Sequence, residues 1–347
     1  MKILVRATNW IGDAVMSLPA LRAIRARFPD AEIAVLARPW VADLYSAESA
    51  INRVIPLEGA PGLKDLAAKW KIAGLLRSER FDLAILFPNS FESAAVVFLG
   101  RARRRIGYAR DGRGLLLTDS IALPKAGEGP KHERFYYLEM LRRAGLIDAL
   151  PEAPEIRLEG AEAARARGVA LFAARGIALP VIGVSPGAAY GGAKRWLPER
   201  FADSARQLAE QCGGTVAVFG SAGERAMCEE VAVAAGGHNF AGSTTLREFI
   251  DMTAACRVYL TNDSGAMHIA SALGVPSVTV FGPTDETATG PTGPHARLVR
   301  EPVSCAPCKL RECPIDHKCM TGVTAGRVVD EARTALASRT ETGFRRC

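Results

Sequence analysis

Four short stretches carry side chains able to do chemistry. In "ATNWIGDAV", Asp13 follows an apolar run and precedes an amphipathic one, where a carboxylate can take a proton from a hydroxyl. The same position suits an N-cap for a helix beginning near Ala14. In "SPGAAYGGAKRW", Lys194 follows a glycine-rich exit from another apolar run, and its ammonium can meet an anion as a point charge. Taken alone it also reads as a solvated lysine. In "TNDSGAMH", Asp263 or Ser264 can cap a helix, Gly265 lets a ligand approach the first amides, and His268 lies one turn on. Such a helix start, with amides and partial positive charge, favours phosphate. In "FGSAGE", Glu224 stands where a carboxylate can accept bonds from ribose hydroxyls, or simply favours a first helical turn.

These stretches need strands to present them, and the apolar pattern supplies the strands. "KILVRA", "AEIAVLA" and "FDLAILF" read as buried parallel strands separated by crossovers. Between the first two, Val15, Leu18, Leu21, Ile24 and Phe28 recur at helical spacing, with Arg22, Arg25 and Arg27 opposite, until Pro29. The pattern restarts at "PVIGVSPG" and continues through "TVAVFG", "VYLTN" and "SVTVFG", with helices expected near 198–211, 222–235, 245–255 and 265–273. The expected architecture is α/β, with two doubly wound domains over 1–165 and 176–325. A last helix and tail over 326–347 is expected to pack back toward the first domain. Ligands of such sheets bind at the carboxyl ends of the strands, so two domains make a cleft there.

Composition bounds the function. The 347 residues, 48% hydrophobic and 23% charged, suit two globular cores. No apolar run approaches the roughly 20 residues of a membrane span, so a cytoplasmic chain with reduced cysteines is expected. Neither G-x-G-x-x-G nor a P-loop is present, which disfavours dehydrogenases and P-loop kinases. Of the net charge of +7, residues 1–160 hold the larger part, with 24 Lys plus Arg against 19 Asp plus Glu. Much of it lies in "RARRRIGYARDGR", residues 101–113, which can draw nucleic acid, an anionic membrane surface or a phosphorylated substrate, or can be a solvated basic loop.

The segment "CAPCKLRECPIDHKC" spaces Cys305, Cys308, Cys313 and Cys319 around His317. A zinc clip, redox-labile pairs and plain thiols all fit that spacing. Cys212, Cys228 and Cys256 fall in helical segments and read as small core hydrophobes.

Together "GDAVMSLPALRAI", "PGAAYGGAKRW" and "NDSGAMHIASALGVPSVTVFGPTD", in this order across nearly the whole chain, resemble the ADP-heptose:lipopolysaccharide heptosyltransferases of glycosyltransferase family 9. Within it, "FPNSFESAAVVFLGRARRRIGY" resembles heptosyltransferase II more than heptosyltransferase I. The resemblance implies a GT-B fold of two Rossmann-like domains facing across a cleft. It implies inverting transfer of heptose from ADP-heptose to the first heptose of a heptosyl-Kdo2-lipid A acceptor, with no metal or cofactor required. Asp13 then matches the catalytic aspartate. Lys194, Asp263, Ser264, Gly265 and His268 match the donor-phosphate region and Glu224 a nucleoside contact. Ala189 and Tyr190 stand at a donor contact where other members often carry hydroxyl or acidic residues. Gly12, Asn89, Ser90, Arg104 and Arg105 are the acceptor candidates. A phosphorylated lipid acceptor also makes the arginine block a reason for peripheral contact with the cytoplasmic face of the inner membrane. Alternatives are heptosyltransferase I or another heptosyltransferase of the family, a GT-B-like sugar-nucleotide epimerase needing no lipid acceptor, and a nucleic-acid-binding protein. The last is disfavoured because the arginines lack interleaved aromatics.

Overall fold

The computed structural model describes residues 1–60, 65–125 and 127–339. The chain divides into two units, Met1–Ile156 and Arg157–Cys347. In the first, strands β1 (Lys2–Arg6), β2 (Glu32–Ala37), β3 (Arg53–Pro56), β4 (Leu83–Leu86), β5 (Arg104–Tyr108) and β6 (Asp119–Ile121) form one sheet in the order β3-β2-β1-β4-β5-β6. In the second, β7 (Val181–Ser185), β8 (Thr215–Val218), β9 (His238–Asn239), β10 (Val258–Asn262), β11 (Ser277–Phe281) and β12 (Ala296–Arg300) take the order β12-β11-β10-β7-β8-β9. All the ladders are parallel. Sheets covered on both faces explain why the central strands read as unbroken apolar runs such as Ile3, Leu4 and Val5, all buried.

Each sheet starts at a middle strand, winds outward to one side, and restarts on the other. The order therefore reverses between β1 and β4 and between β7 and β10. Loops leaving the carboxyl ends of such neighbours diverge and leave a crevice.

The second unit begins earlier than the sequence suggests. Helix Ala161–Ala173 packs on helix Leu246–Ala255, and Arg167 grips the buried Asp251 with two 2.8 Å bonds. Only Ala164, Gly168 and Phe172 of the helix are buried, a stripe too thin to be legible. The last helix, Ala325–Ser338, sets Val328, Val329, Ala332 and Leu336 into the second core beside Trp196 and Phe201. This apolar face closes the second sheet, and residues 340–347 of the expected tail lie outside the described residues.

The arginine block is not a solvated loop. Its middle is β5, pairing Ile106 with Ile85 of β4, and much of its charge is answered. Arg103 pairs with Asp82 at 3.2 Å and Arg104 with Asp119 at 2.7 Å. Arg113 is fully buried, donating to the Tyr108 carbonyl at 2.9 Å, Ser93 Oγ at 3.0 Å, Asn89 Oδ1 at 3.3 Å and the Pro88 carbonyl. Burial brings its guanidinium down to about 10. Cys228 and Cys256 are buried thiols, as a core role requires, and burial pushes Cys228 up to about 12. Cys212, the last residue of helix Pro198–Cys212, packs partly buried against the second core.

Arg113→Ala should lower stability to urea by roughly 2–4 kcal/mol, because three carbonyl or amide oxygens lose a charged donor away from water. Arg110→Ala, at an exposed position beside its neighbour Asp111 at 3.7 Å, should stay within about 0.5 kcal/mol of the parent. Equal midpoints for the two variants would contradict the assignment of Arg113 as a buried organiser.

Candidate functional site

In the first unit the residues after β1 and β4 are those at the reversal of strand order. Asp13 is the third residue of helix Ile11–Met16, whose N-cap is Trp10. The reading of Asp13 as a cap for a helix starting near Ala14 is thereby corrected: the helix begins one turn earlier. At this third position the half-buried carboxylate gains from the partial positive charge of the helix start, and Gly12 beside it adds no side chain. Its negative charge reaches Tyr137, whose hydroxyl is raised well above the usual range by burial first and Asp13 second.

From β4 come Asn89 and Ser90. Asn89 donates to the Tyr136 hydroxyl at 2.7 Å and accepts from Arg113, while Ser90 caps helix Phe91–Leu99 by accepting from the Ser93 amide at 3.3 Å. Arg104 and Arg105 are not brought to this end. They open β5 at its amino end, where Arg105 donates to the Leu116 and Ala102 carbonyls at 2.7 and 2.6 Å. Their place as acceptor contacts is corrected on that ground.

Two cations at the carboxyl ends escape a reading of the sequence. Arg6 closes β1, fully buried, with 2.7 Å to Asn9 Oδ1, and burial followed by the repulsion of Arg38 brings it down to about 10. Arg38 follows β2 and meets Glu92 at 2.9 Å and the Gly59 carbonyl at 2.6 Å. Both sit within apolar runs that disguise them.

In the second unit the loops leaving β7, β10 and β11 converge. Lys194 ends the short turn Gly192–Lys194, and its ammonium lies 2.5 Å from Asp263 Oδ2 with both side chains largely buried. Thr284 donates to the same carboxylate oxygen at 2.6 Å. Asp263 therefore does not cap the next helix, Gly265–Ala272, and its N-cap Ser264 makes no capping bond either, lying 3.2 Å from Thr261 Oγ1. The first amides of that helix are thus left without a side-chain cap, next to a buried ammonium. His268 is buried one turn in. Asn262 ties the loops together: its Oδ1 accepts from the Trp196 amide at 3.0 Å and its Nδ2 donates to the Pro186 carbonyl at 2.7 Å.

Tyr190 is half-exposed and lies between two cations, with the Lys194 ammonium 4.8 Å and the Arg311 guanidinium 5.4 Å from its ring centre. Ala189 beside it is exposed. Glu224 accepts from the Ser221 amide and hydroxyl at 2.9 and 2.7 Å, forming a capping box. It also rests on Gly187, where a Cβ would come within 2.0 Å of Oε1, so a glycine is required for the β7 and β8 exits to meet. Thr284 and Asn262 were missed because nothing local marks them.

The Cys305–Cys319 segment lies over the Lys194 turn. Cys305, Cys308, Cys313 and Cys319 are free thiols, and among the described residues no three His, Cys, Asp or Glu are placed to hold a metal ion. His317 Nε2 is instead 2.8 Å from the Ala193 carbonyl.

Residues 69–319 match the model for glycosyltransferase family 9 (heptosyltransferase). The chain is 33% identical to lipopolysaccharide heptosyltransferase 2 of Escherichia coli and 32% identical to that of Salmonella typhimurium, covering 97% of this chain and 99% of the relative in both cases. The structure of the E. coli ADP-heptose LPS heptosyltransferase II superposes with a TM-score of 0.81 at 31% identity, over 97% of this chain and 99% of that one.

Asp263→Asn should cost roughly 2–4 kcal/mol of stability, since it leaves a buried ammonium without its charge partner. An added anion should then substitute for the lost carboxylate, so pyrophosphate should raise the melting temperature of the variant more than that of the parent. An equal rise in both would show that Asp263 and phosphate do not compete for Lys194.

Proposed function

The chain belongs to glycosyltransferase family 9, the heptosyltransferases, and from that premise we propose how its residues move heptose from ADP-heptose to the inner core. It is a glycosyltransferase of lipopolysaccharide core biosynthesis, with the first heptose of heptosyl-Kdo2-lipid A as acceptor. The observation that carries the assignment of roles is the Lys194, Asp263 and Thr284 cluster beside an uncapped helix start.

The donor diphosphate takes the place of Asp263 as partner of the Lys194 ammonium and accepts from the amides at Ser264 and Gly265. Glu224 receives the ribose hydroxyls, Tyr190 and Ala189 border the donor, and His268 backs the phosphate end. The acceptor hydroxyl attacks the anomeric carbon on the face opposite ADP. As the new C–O bond forms, the bond to the diphosphate breaks, its electron pair leaves on the phosphate oxygen, and the hydroxyl proton passes to Asp13. Lys194 and the amides stabilise the leaving charge, so their contribution grows toward the transition state. Asn89 and Ser90, at the next strand exit, border the acceptor with Gly12.

Radiolabelled heptose should pass to heptosyl-Kdo2-lipid A and not to acceptor lacking the first heptose; label moving only to the shorter acceptor would make this a heptosyltransferase I, and no transfer to either would end the assignment. In the same assay Asp13→Asn should lower kcat roughly 10²- to 10⁴-fold with ADP affinity nearly intact. Lys194→Ala should raise the donor KM and lower kcat together.

The protein further associates peripherally with the anionic cytoplasmic face of the inner membrane. No helix among the described residues is long and apolar enough to cross a membrane. An exposed face supports surface contact. Leu66 and Trp70 are exposed one turn apart on one face of helix Leu66–Glu79, where Arg77 joins that helix to the Leu99 carbonyl at 3.2 Å. Exposed Phe98 follows, with Arg105 5.3 Å from its ring, and then Leu115. Apolar side chains accompanied by Arg77 and Arg105 suit an interface with anionic headgroups. Sedimentation with phosphatidylglycerol vesicles should weaken several-fold in Trp70→Ser and with rising salt, while phosphatidylcholine vesicles bind little. Equal binding by parent and variant would remove this face from the contact.

A further inference from the structure

The cysteine-spaced segment has no part in the reaction above, yet it makes repeated contact with the turn that carries Lys194. The Ala193 amide donates to the Arg311 carbonyl at 2.9 Å, and the Gly192 amide donates to Glu312 Oε1 at 2.9 Å. The Tyr190 hydroxyl donates to the Lys309 carbonyl at 2.7 Å, and His317 Nε2 meets the Ala193 carbonyl at 2.8 Å. Approach is close enough that a Cβ on Gly191 would lie 2.3 Å from the Arg311 carbonyl oxygen. The segment is itself anchored at both ends. The Lys309 amide donates to the Pro283 carbonyl at 2.7 Å, one residue before Thr284, and Cys319 and Met320 are buried in the second core. Lys309 and His317 hold left-handed backbone at φ 57° and 55°, an unfavourable state that persists only when surroundings impose it.

We infer that residues 305–319 form a bracket that fixes the Lys194 ammonium over the donor diphosphate, with Glu312 and His317 as positioning residues. The inference rests on Lys194 being the diphosphate cation. A lysine has four rotatable bonds and a compact charge, so its placement depends on the backbone beneath it. Here that backbone is a three-residue turn, and the bracket supplies partners for its first two amides and its central carbonyl. Glu312 reaches Lys194 through the Gly192 amide, and His317 reaches it through the Ala193 carbonyl. The thiols of Cys305, Cys308 and Cys313 make none of these bonds, so the role does not depend on a metal or on their oxidation.

The test is a double-mutant cycle in the heptosyl-transfer assay with ADP-heptose as the varied substrate. Glu312→Ala should raise the ADP-heptose KM and lower kcat, about tenfold in kcat/KM, with the lipid-acceptor KM unchanged. Glu312→Gln, which keeps an amide oxygen for the Gly192 N–H, should return to within about twofold of the parent. In a Lys194→Ala background Glu312→Ala should cost almost nothing more, because two residues acting through one contact are not additive. Should Glu312→Ala not fold, His317→Asn serves in its place, since asparagine tolerates the left-handed backbone while losing the ring nitrogen. Additive losses in the double variant, or a loss confined to stability with unchanged donor kinetics, overturn the bracket. Unchanged kinetics in Lys194→Ala alone would instead overturn the assignment of Lys194, so the two failures are distinguishable.

Discussion

A parallel strand reaches its neighbour only through a crossover, and each sheet here is entered at a middle strand. The reversal of order between β1 and β4, and between β7 and β10, is the constraint on which the rest depends. It forces two pairs of loops apart at the carboxyl ends, and those loops carry Asp13 and Asn89 in one unit and Lys194 and Asp263 in the other. The same backbone solution serves different chemistry. The first unit presents a carboxylate in a helix's first turn, and the second presents an ammonium beside a helix left without a side-chain cap.

That second arrangement explains why no glycine-rich dinucleotide loop is needed. A phosphate loop brings a ligand onto backbone amides through several glycines, whereas under the proposed function the anion meets one helix start and a largely buried cation. The cation is held by Asp263, and Thr284 and Asn262 fix the carboxylate and the surrounding exits. The local signal is therefore half informative. "NDSG" reads as a cap, and it is the failure of Asp263 to cap that leaves the amides without a side-chain partner.

Much of the architecture is legible because doubly buried strands make apolar runs, as in "AEIAVLA" and "SVTVFG". β5 is not, since its first two residues are arginines whose charges are answered by Asp119 and by carbonyls that only the fold supplies. Helix Ala161–Ala173 is obscure for the related reason that small residues, with Phe172, do its packing. Candidate residues at strand exits are legible through glycine, hydroxyl and charge clustered in a few positions. Thr284, Asn262 and Glu312 act across long stretches of chain, and a single sequence gives no measure of such contacts.

The distribution of buried cations follows from their geometry. Arg113 serves four acceptors, and Arg38 spans a carboxylate and a loop carbonyl. A planar fork satisfied at several points is difficult to redirect, which suits a loop that must stay put. At the proposed donor side the cation is lysine, with one carboxylate and one aromatic face as partners. An ammonium can exchange that carboxylate for a phosphate oxygen without dismantling a set of directional bonds. Burial gives the exchange its force, because in a site of low dielectric the developing charge on a leaving diphosphate draws the ammonium more strongly than it would in water. Under the proposed function the fold uses arginine where charge must hold structure and lysine where charge must change partner.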